Sequence, residues 1–216
     1  MPYRRTEAVE RRLAEREQSI LDAAQTIAGE GGMAALHIAA VAERARIAAG
    51  TVYRYFPSKT ELIAELVARL AQEECAAMQV AGDAAPGPLS ALVASIACFA
   101  ARALQTRKLA WATIAEPVEA EIEPVRLNFR CALIGELARR IQAAVDAGHL
   151  PEQDVQRAAP AILGMLLDGL IGPVAPMPNG EAAARAAVQD MALMALRALG
   201  VVDARARGLV AQVALP

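Results

Sequence analysis

Apolar residues recur along this chain at intervals of three and four, the spacing that lines one face of an α-helix. Runs of alternating β-branched residues, which would mark a half-buried strand, do not occur. Ile20, Leu21, Ala24, Ile27 and Ala28 form the first stripe, and Gly31-Gly32 closes it, so the pattern predicts a helix over about 12–30. Two short segments follow around a tight turn: Ile38, Val41, Ala42 and Ala45 with charged Glu43 and Arg44 between them, then Thr51 to Phe56. Pro57-Ser58-Lys59-Thr60-Glu61 opens a long helix in which Ser58 caps, Glu61 completes a capping box, and Leu62, Ile63, Leu66, Val67 and Leu70 form the stripe. Running to about Val80, it would span roughly 34 Å. Ala81 to Pro88 breaks it.

Further helices are predicted at about 89–105, 108–115, 124–147 closed by Gly148, 152–172, and 181–199 closed by Gly200. Prolines, glycines and an asparagine make loops of the Glu116–Pro124 segment and of Pro173–Gly180. The fold class is all-α, with no internal repeat.

Composition sharpens this picture. Over 216 residues, 56% apolar content supplies enough material for a sizeable core, and aromatics at 3% leave Ala, Leu, Val and Ile to build it. Cys75, Cys98 and Cys131 lie far apart and form no CxxC pair, which suggests neither a disulfide framework nor a zinc module. No run of about 18 uninterrupted apolar residues exists, so no membrane contact and a cytoplasmic location are expected. The net charge of −2 conceals an asymmetry: residues 1–59 hold nine Lys/Arg against seven Asp/Glu, or +2, which leaves thirteen against seventeen, or −4, for the rest. Arg4, Arg5, Arg11, Arg12 and Arg16 cluster at the basic end, where phosphate would be a suitable partner, although a solvated helix face would read the same way.

The stretch that carries chemistry runs from Ile38-Ala-Ala-Val41-Ala-Glu-Arg-Ala45 through Ile47-Ala-Ala-Gly50-Thr51-Val52-Tyr53-Arg54-Tyr55-Phe56-Pro57-Ser58-Lys59 to Glu61-Leu62. It resembles the DNA-binding signature of the TetR family of transcription regulators over about residues 16–63. The resemblance implies a two-part homodimer: a helix-turn-helix domain over 1–60 and a helical ligand-binding and dimerisation domain over 61–216. A recognition helix would lie at about Ala48–Tyr55. Small Ala48, Ala49 and Gly50 suit its close approach to a duplex, hydroxyls of Thr51, Tyr53 and Tyr55 suit phosphate oxygens, and Lys59 adds a charge at the next helix start. By resemblance Thr51, Tyr53, Tyr55 and Lys59 fall on DNA-contacting positions, while Val52 and Phe56 fall on core positions. Two residues depart from the family pattern. Arg46 occupies the turn where glycine is usual, so it must accept a positive φ or another conformation, and its charge could reach a phosphate. His37 stands where Ser or Thr usually caps, and reads as a poor cap rather than a metal ligand.

In the remainder, Ile162, Leu163, Met165, Leu166, Leu167, Leu170 and Ile171 make a surface too wide for one buried stripe, and the alanine-rich 181–199 helix invites close packing, Ala195 included. One side of each would face the chain's own core and the other a symmetric partner. Met78, Phe99, Trp111, Phe129 and Met165 fall where the family's ligand pocket would be, and Asp168, alone in an apolar helix, would need a partner such as Arg102, Arg126 or Arg130 if buried. The function expected is a repressor released from a palindromic double-stranded operator by an unidentified apolar or amphipathic small molecule. No cofactor, metal or catalytic residue is expected. A cysteine-based redox sensor and a helical enzyme are the alternatives: the first lacks an activating basic setting and a resolving cysteine, the second an acid–base constellation.

Overall fold

The computed structural model describes residues 7–118 and 120–213. The basic residues Arg4 and Arg5 fall outside them. The elements in chain order are α1 (Glu7–Gly31), α2 (Ile38–Arg44), α3 (Ala49–Tyr55), α4 (Lys59–Asp83), α5 (Pro88–Gln105), α6 (Arg107–Ile114), α7 (Glu123–Asp146), α8 (Val155–Leu166), α9 (Glu181–Ala198) and α10 (Asp203–Gln212). A 3₁₀ turn, Met33–Ala35, joins α1 to α2, and a π turn, Leu167–Ile171, extends α8. No strand is present among the described residues.

Each expected helix is present with ends moved by a few residues, and the local chemistry explains the shifts. The α4 start is set by Ser58, whose Oγ accepts the Glu61 N–H at 3.1 Å. Asp154 caps α8 by accepting the Gln156 N–H at 3.0 Å, which places that start three residues later than 152. Gly32, Gly148, Gly180 and Gly200 all take positive φ at helix ends. Unforeseen was α10, because the Asp203–Gln212 stretch carries only two residues, Ala206 and Val210, that are buried in the fold.

The core sits where α5 passes between α4, α7 and α9. Twelve of its residues are buried, and it is long and apolar enough to cross a bilayer, yet 67% of it lies inside the protein as the central helix. At the far end of α4, Arg140 of α7 is buried, donating to Glu136 at 2.7 Å, to Asp83 at 2.7 Å and to the Gln79 carbonyl at 3.0 Å. Gly82 allows this: a Cβ there would lie 2.5 Å from both the Arg140 Cζ and the Ser95 Oγ. The polar cluster locks α4 to α5 and α7 at one end. At its other end α4 packs against α1.

Candidate nucleic-acid interface and interior cavity

Helices α1, α2 and α3 enclose a small core of Ile20, Leu21, Ala24, Leu36, Ile38, Val41, Val52 and Phe56, with Leu62 and Ile63 of α4 beneath. The seven-residue α3 is held from within by Val52, fully buried, and Phe56, 5% exposed. Burial of each is worth about 2 kcal/mol. The helix turns everything else outward: Ala48, Ala49, Gly50, Arg54 and Tyr53 are exposed, Tyr53 by 52%, while Thr51 and Tyr55 are half-buried. At Gly50 an added Cβ would meet nothing within 4 Å. No intramolecular packing requires glycine at this position.

The turn before α3 resolves the question posed by Arg46. Its φ is 56°, the single positive φ outside glycine among the described residues, and its side chain is exposed beside α3. The strain is tolerated because the Arg46 and Ile47 N–H groups are secured by the Glu43 and Ala42 carbonyls at 3.1 and 2.9 Å. His37 sits at the α2 N-cap with no side-chain bond to the helix, leaving its first turn uncapped. Arg44 is engaged by Glu30 at 2.7 Å, and that guanidinium holds the Glu30 carboxyl below the ordinary range. Arg11, Arg12 and Arg16 are exposed on α1. Lys59, the first residue of α4, is half-buried in a hollow shared with Met33 and Glu116.

A hollow of about 120 Å³ lies among α4, α5, α6 and α7, with Gln25 of α1 at one side and exposed Glu73, Gln105 and Thr106 on its rim. Phe99 and Phe129 line it, as do Leu109, Thr113 and Ile114 of α6. Met78 is buried and Trp111 and Met165 are half-buried, but none of these three lines this space. Larger hollows of about 630, 560 and 450 Å³ are surface grooves whose walls include exposed residues such as Lys108, Gln212 and Arg185.

Asp168 is not the buried carboxylate that an apolar helix suggested. It is exposed, and its three candidate partners are elsewhere: Arg102 on Glu74, Arg126 on Glu123, and Arg130 in no ion pair among the described residues. Helical phase explains this, because Asp168 follows Ala161, Gly164 and Met165 along the outer flank of α8, away from Ile162, Leu163 and Leu166. The carboxylate that does line the cavity is Glu74. Its side chain is 13% exposed, and its Oε2 accepts from the Arg102 Nε at 2.9 Å. Its Oε1 is buried without a partner among the described residues. Burial pushes the Glu74 carboxyl above its usual range, against the pull of Arg102. The spacing held the signal: Leu66, Leu70, Glu74 and Met78 form one i, i+4 row, so a glutamate stands within the apolar stripe of α4.

Ala195, expected at a close contact with a partner, is fully buried inside the chain's own fold. Met194 of α9 is a large apolar residue that is exposed, and Met165 of α8 is half-buried. The cysteines are separate: Cys75 half-buried, Cys98 buried and Cys131 exposed. Burial, and then the charges of Glu136 and Glu74, push the Cys75 thiol up to about 11, which suppresses its thiolate near neutral pH. No group of three His, Cys, Asp or Glu side chains suited to a metal occurs among the described residues.

The short, outward-facing α3 ahead of the long α4 has the arrangement of a helix-turn-helix head. Residues 20–66 match the family described as bacterial regulatory proteins, tetR family. That match spans the second half of α1, α2, α3 and the start of α4. It is 53% identical over 55 residues to the HTH-type transcriptional repressor KstR of Rhodococcus jostii strain RHA1, covering 26% of each protein, and 51% identical over 55 residues to KstR of Mycobacterium tuberculosis strain H37Rv. The match spans about a quarter of the length of these repressors. In overall fold the chain is similar to RolR in complex with resorcinol, with a TM-score of 0.66 and 21% identity, over 94% of this chain and 98% of that one. It is also similar to FadR of Bacillus subtilis in complex with stearoyl-CoA, with a TM-score of 0.69 and 19% identity, over 81% and 97%. At these identities the likeness concerns the fold.

Proposed function

We propose that the chain is a sequence-specific DNA-binding repressor, with residues 1–60 reading an operator and 61–216 forming a homodimer and holding a small molecule. The observation that carries this reading is the two-sidedness of α3: Val52 and Phe56 anchor it, while Ala48, Ala49, Gly50 and Tyr53 face outward around a glycine that no internal contact requires. Arg46, Thr51, Tyr53, Tyr55 and Lys59 would then contact the backbone of the duplex, and two recognition helices about 34–36 Å apart would read a pseudo-palindrome. The repressor role is supported by the KstR match. Dimerisation would use the outer flanks of α8 and α9, where Met194→Arg, rather than a change at buried Ala195, is the informative variant.

Two connections link cavity and head. Helix α4 begins at Lys59 and contributes Leu70 and Glu74 to the cavity wall. Helix α6 lines the cavity with Leu109, Thr113 and Ile114, and two residues beyond its end the Glu116 carboxylate accepts the Met33 N–H at 3.3 Å, at the α1–α2 junction. A ligand that shifts either helix would move the head, and a coupling of about 1–3 kcal/mol is ordinary for such linkage. The test is footprinting of the DNA flanking the chain's own gene, followed by affinity titrations in salt. The wild type should protect a palindrome, and Lys59→Ala should weaken binding and reduce the slope of log affinity against log salt by about one. An unprotected region, or an unchanged slope and affinity, would remove the assignment.

A further inference from the structure

We infer that α6 is a strut fixed at both ends, which carries the state of the 171–177 connection between α8 and α9 to the α1–α2 junction, with Arg107 and Glu116 as its positioning residues. Its input is that connection rather than the hollow beside Glu74. The coupling is a property of the purified chain, while its use in controlling DNA binding rests on the regulator reading above.

At the start of α6 the half-buried Arg107 side chain gathers the backbone that follows α8. Its Nε donates to the Ile171 carbonyl at 3.3 Å, its Nη2 to the Gly172 and Ala175 carbonyls at 2.6 and 2.9 Å, and its Nη1 to the Pro176 carbonyl at 3.4 Å and to the Met177 sulfur. Four carbonyls converging on one planar fork suit a guanidinium and not a compact ammonium. Along its length α6 lies close on α1, where a Cβ at Gly29 would stand 3.8 Å from the Leu109 Cβ. Beyond its far end the Glu116 carboxylate accepts the Met33 N–H at 3.3 Å. Gly32 makes room for that carboxylate, since its φ is 73° and a Cβ there would stand 3.1 Å from the Glu116 Oε2. The eight residues of α6 span about 12 Å, with Leu109, Ala110, Ala112, Thr113 and Ile114 buried, so the helix slides or tilts as one piece. Releasing the Arg107 end therefore loosens the Glu116 end, and the reverse holds by linkage.

Amide hydrogen exchange on the whole chain, without DNA and at residue resolution, measures the link. Gly172 and Ala175 report the connection, where their N–H groups bond the Leu167 and Gly172 carbonyls, and Met33 and Leu36 report the junction. Arg107→Met should raise exchange at all four amides by about threefold or more, within the range for coupling through packed elements. Ile141 and Ala144, buried in α7, should keep their wild-type rates. Glu116→Ala should raise Met33 directly and Gly172 and Ala175 at a distance. A rise at Gly172 and Ala175 alone in Arg107→Met would make that residue a loop clamp and overturn the strut. So would an even rise that includes Ile141 and Ala144, which marks a general loss of stability. If Arg107→Met fails to fold, Glu116→Ala decides alone, and unchanged Gly172 and Ala175 would overturn the inference. Titration of the same variants with DNA separates the two readings. Coupled exchange in a chain that ignores DNA leaves the strut and removes the regulator, whereas uncoupled exchange in a chain that protects an operator removes the strut alone.

Discussion

The head and the body of this molecule carry their chemistry on opposite sides of the same kind of helix. In the head, α3 buries Val52 and Phe56 and turns small and hydroxyl-bearing residues outward, so the face proposed to meet DNA is the surface. In the body, α4 and α5 turn Glu74, Phe99 and Arg102 toward a hollow bounded by helices from distant parts of the chain. A surface site of seven helical residues is written in one contiguous stretch of sequence. An interior site is written in fragments from Gln25 to Phe129, and only packing brings them together.

This division predicts that inward changes in the head cost stability and outward ones do not. The largest effect should come from Phe56→Ala, at about 3–5 kcal/mol, because the cavity it leaves lies beneath α3 and cannot be filled by solvent-facing neighbours. Denaturant melts of the variant and of Tyr53→Ala would measure it. Tyr53→Ala should stay within about 0.5 kcal/mol of the wild type, and an equal loss in both would erase the distinction between the faces.

Two residues of the head work against its own fold and should yield gains. Arg46 holds a φ of 56°, so Arg46→Gly should stabilise by about 1 kcal/mol. His37 leaves α2 uncapped, and His37→Ser should add roughly 0.5–1 kcal/mol. If the gain at Arg46 is accompanied by weaker DNA binding, its charge serves the duplex; unchanged affinity would make it a turn residue only.

The smallest effect distinguishes the regions by pH. The Glu30 carboxyl is held below its ordinary range by Arg44, so the stability it contributes is present above the unfolded pKa of about 4.3 and is lost as pH falls through the folded value. The Glu74 carboxyl is raised by burial, so its contribution is present below that value and is lost as pH rises through its folded pKa. Melting curves from pH 3 to 7 should show the stability difference between wild type and Glu30→Gln growing with pH. The corresponding difference for Glu74→Gln should shrink, and slopes of the same sign would contradict the burial argument.

Legibility in the sequence followed the same line. The helix at Ser58 and the stripe of α4 were readable because caps and periodicity act within a few residues, whereas the inward pair Val52 and Phe56 was readable only through the family resemblance. The conformation of Arg46 was one of two alternatives that the turn allowed. Asp168 misled because an isolated charge in an apolar helix draws notice, although helical phase already placed it on the outer row with Ala161 and Met165. Glu74 escaped because it sits beside Glu73 in a run that reads as solvated, while its register with Leu66 and Leu70 placed it inward. Ala195 and Met194 exchange roles for a different reason: both lie in alanine-rich sequence with little contrast between faces, so only tertiary packing decides which is covered.

The central claim is that the outer face of α3 meets DNA, and Gly50→Glu tests it most directly. A side chain there enters open space, and a carboxylate in the first turn of a helix favours the fold through the helix dipole. Opposite phosphates the same carboxylate is repelled. Melting temperature and affinity for the footprinted DNA should be measured on one preparation at several salt concentrations. The account predicts a melting temperature at or above that of the wild type together with DNA affinity reduced at least about a hundredfold, or roughly 2.7 kcal/mol. A folded Gly50→Glu protein that binds the operator as the wild type does would contradict it.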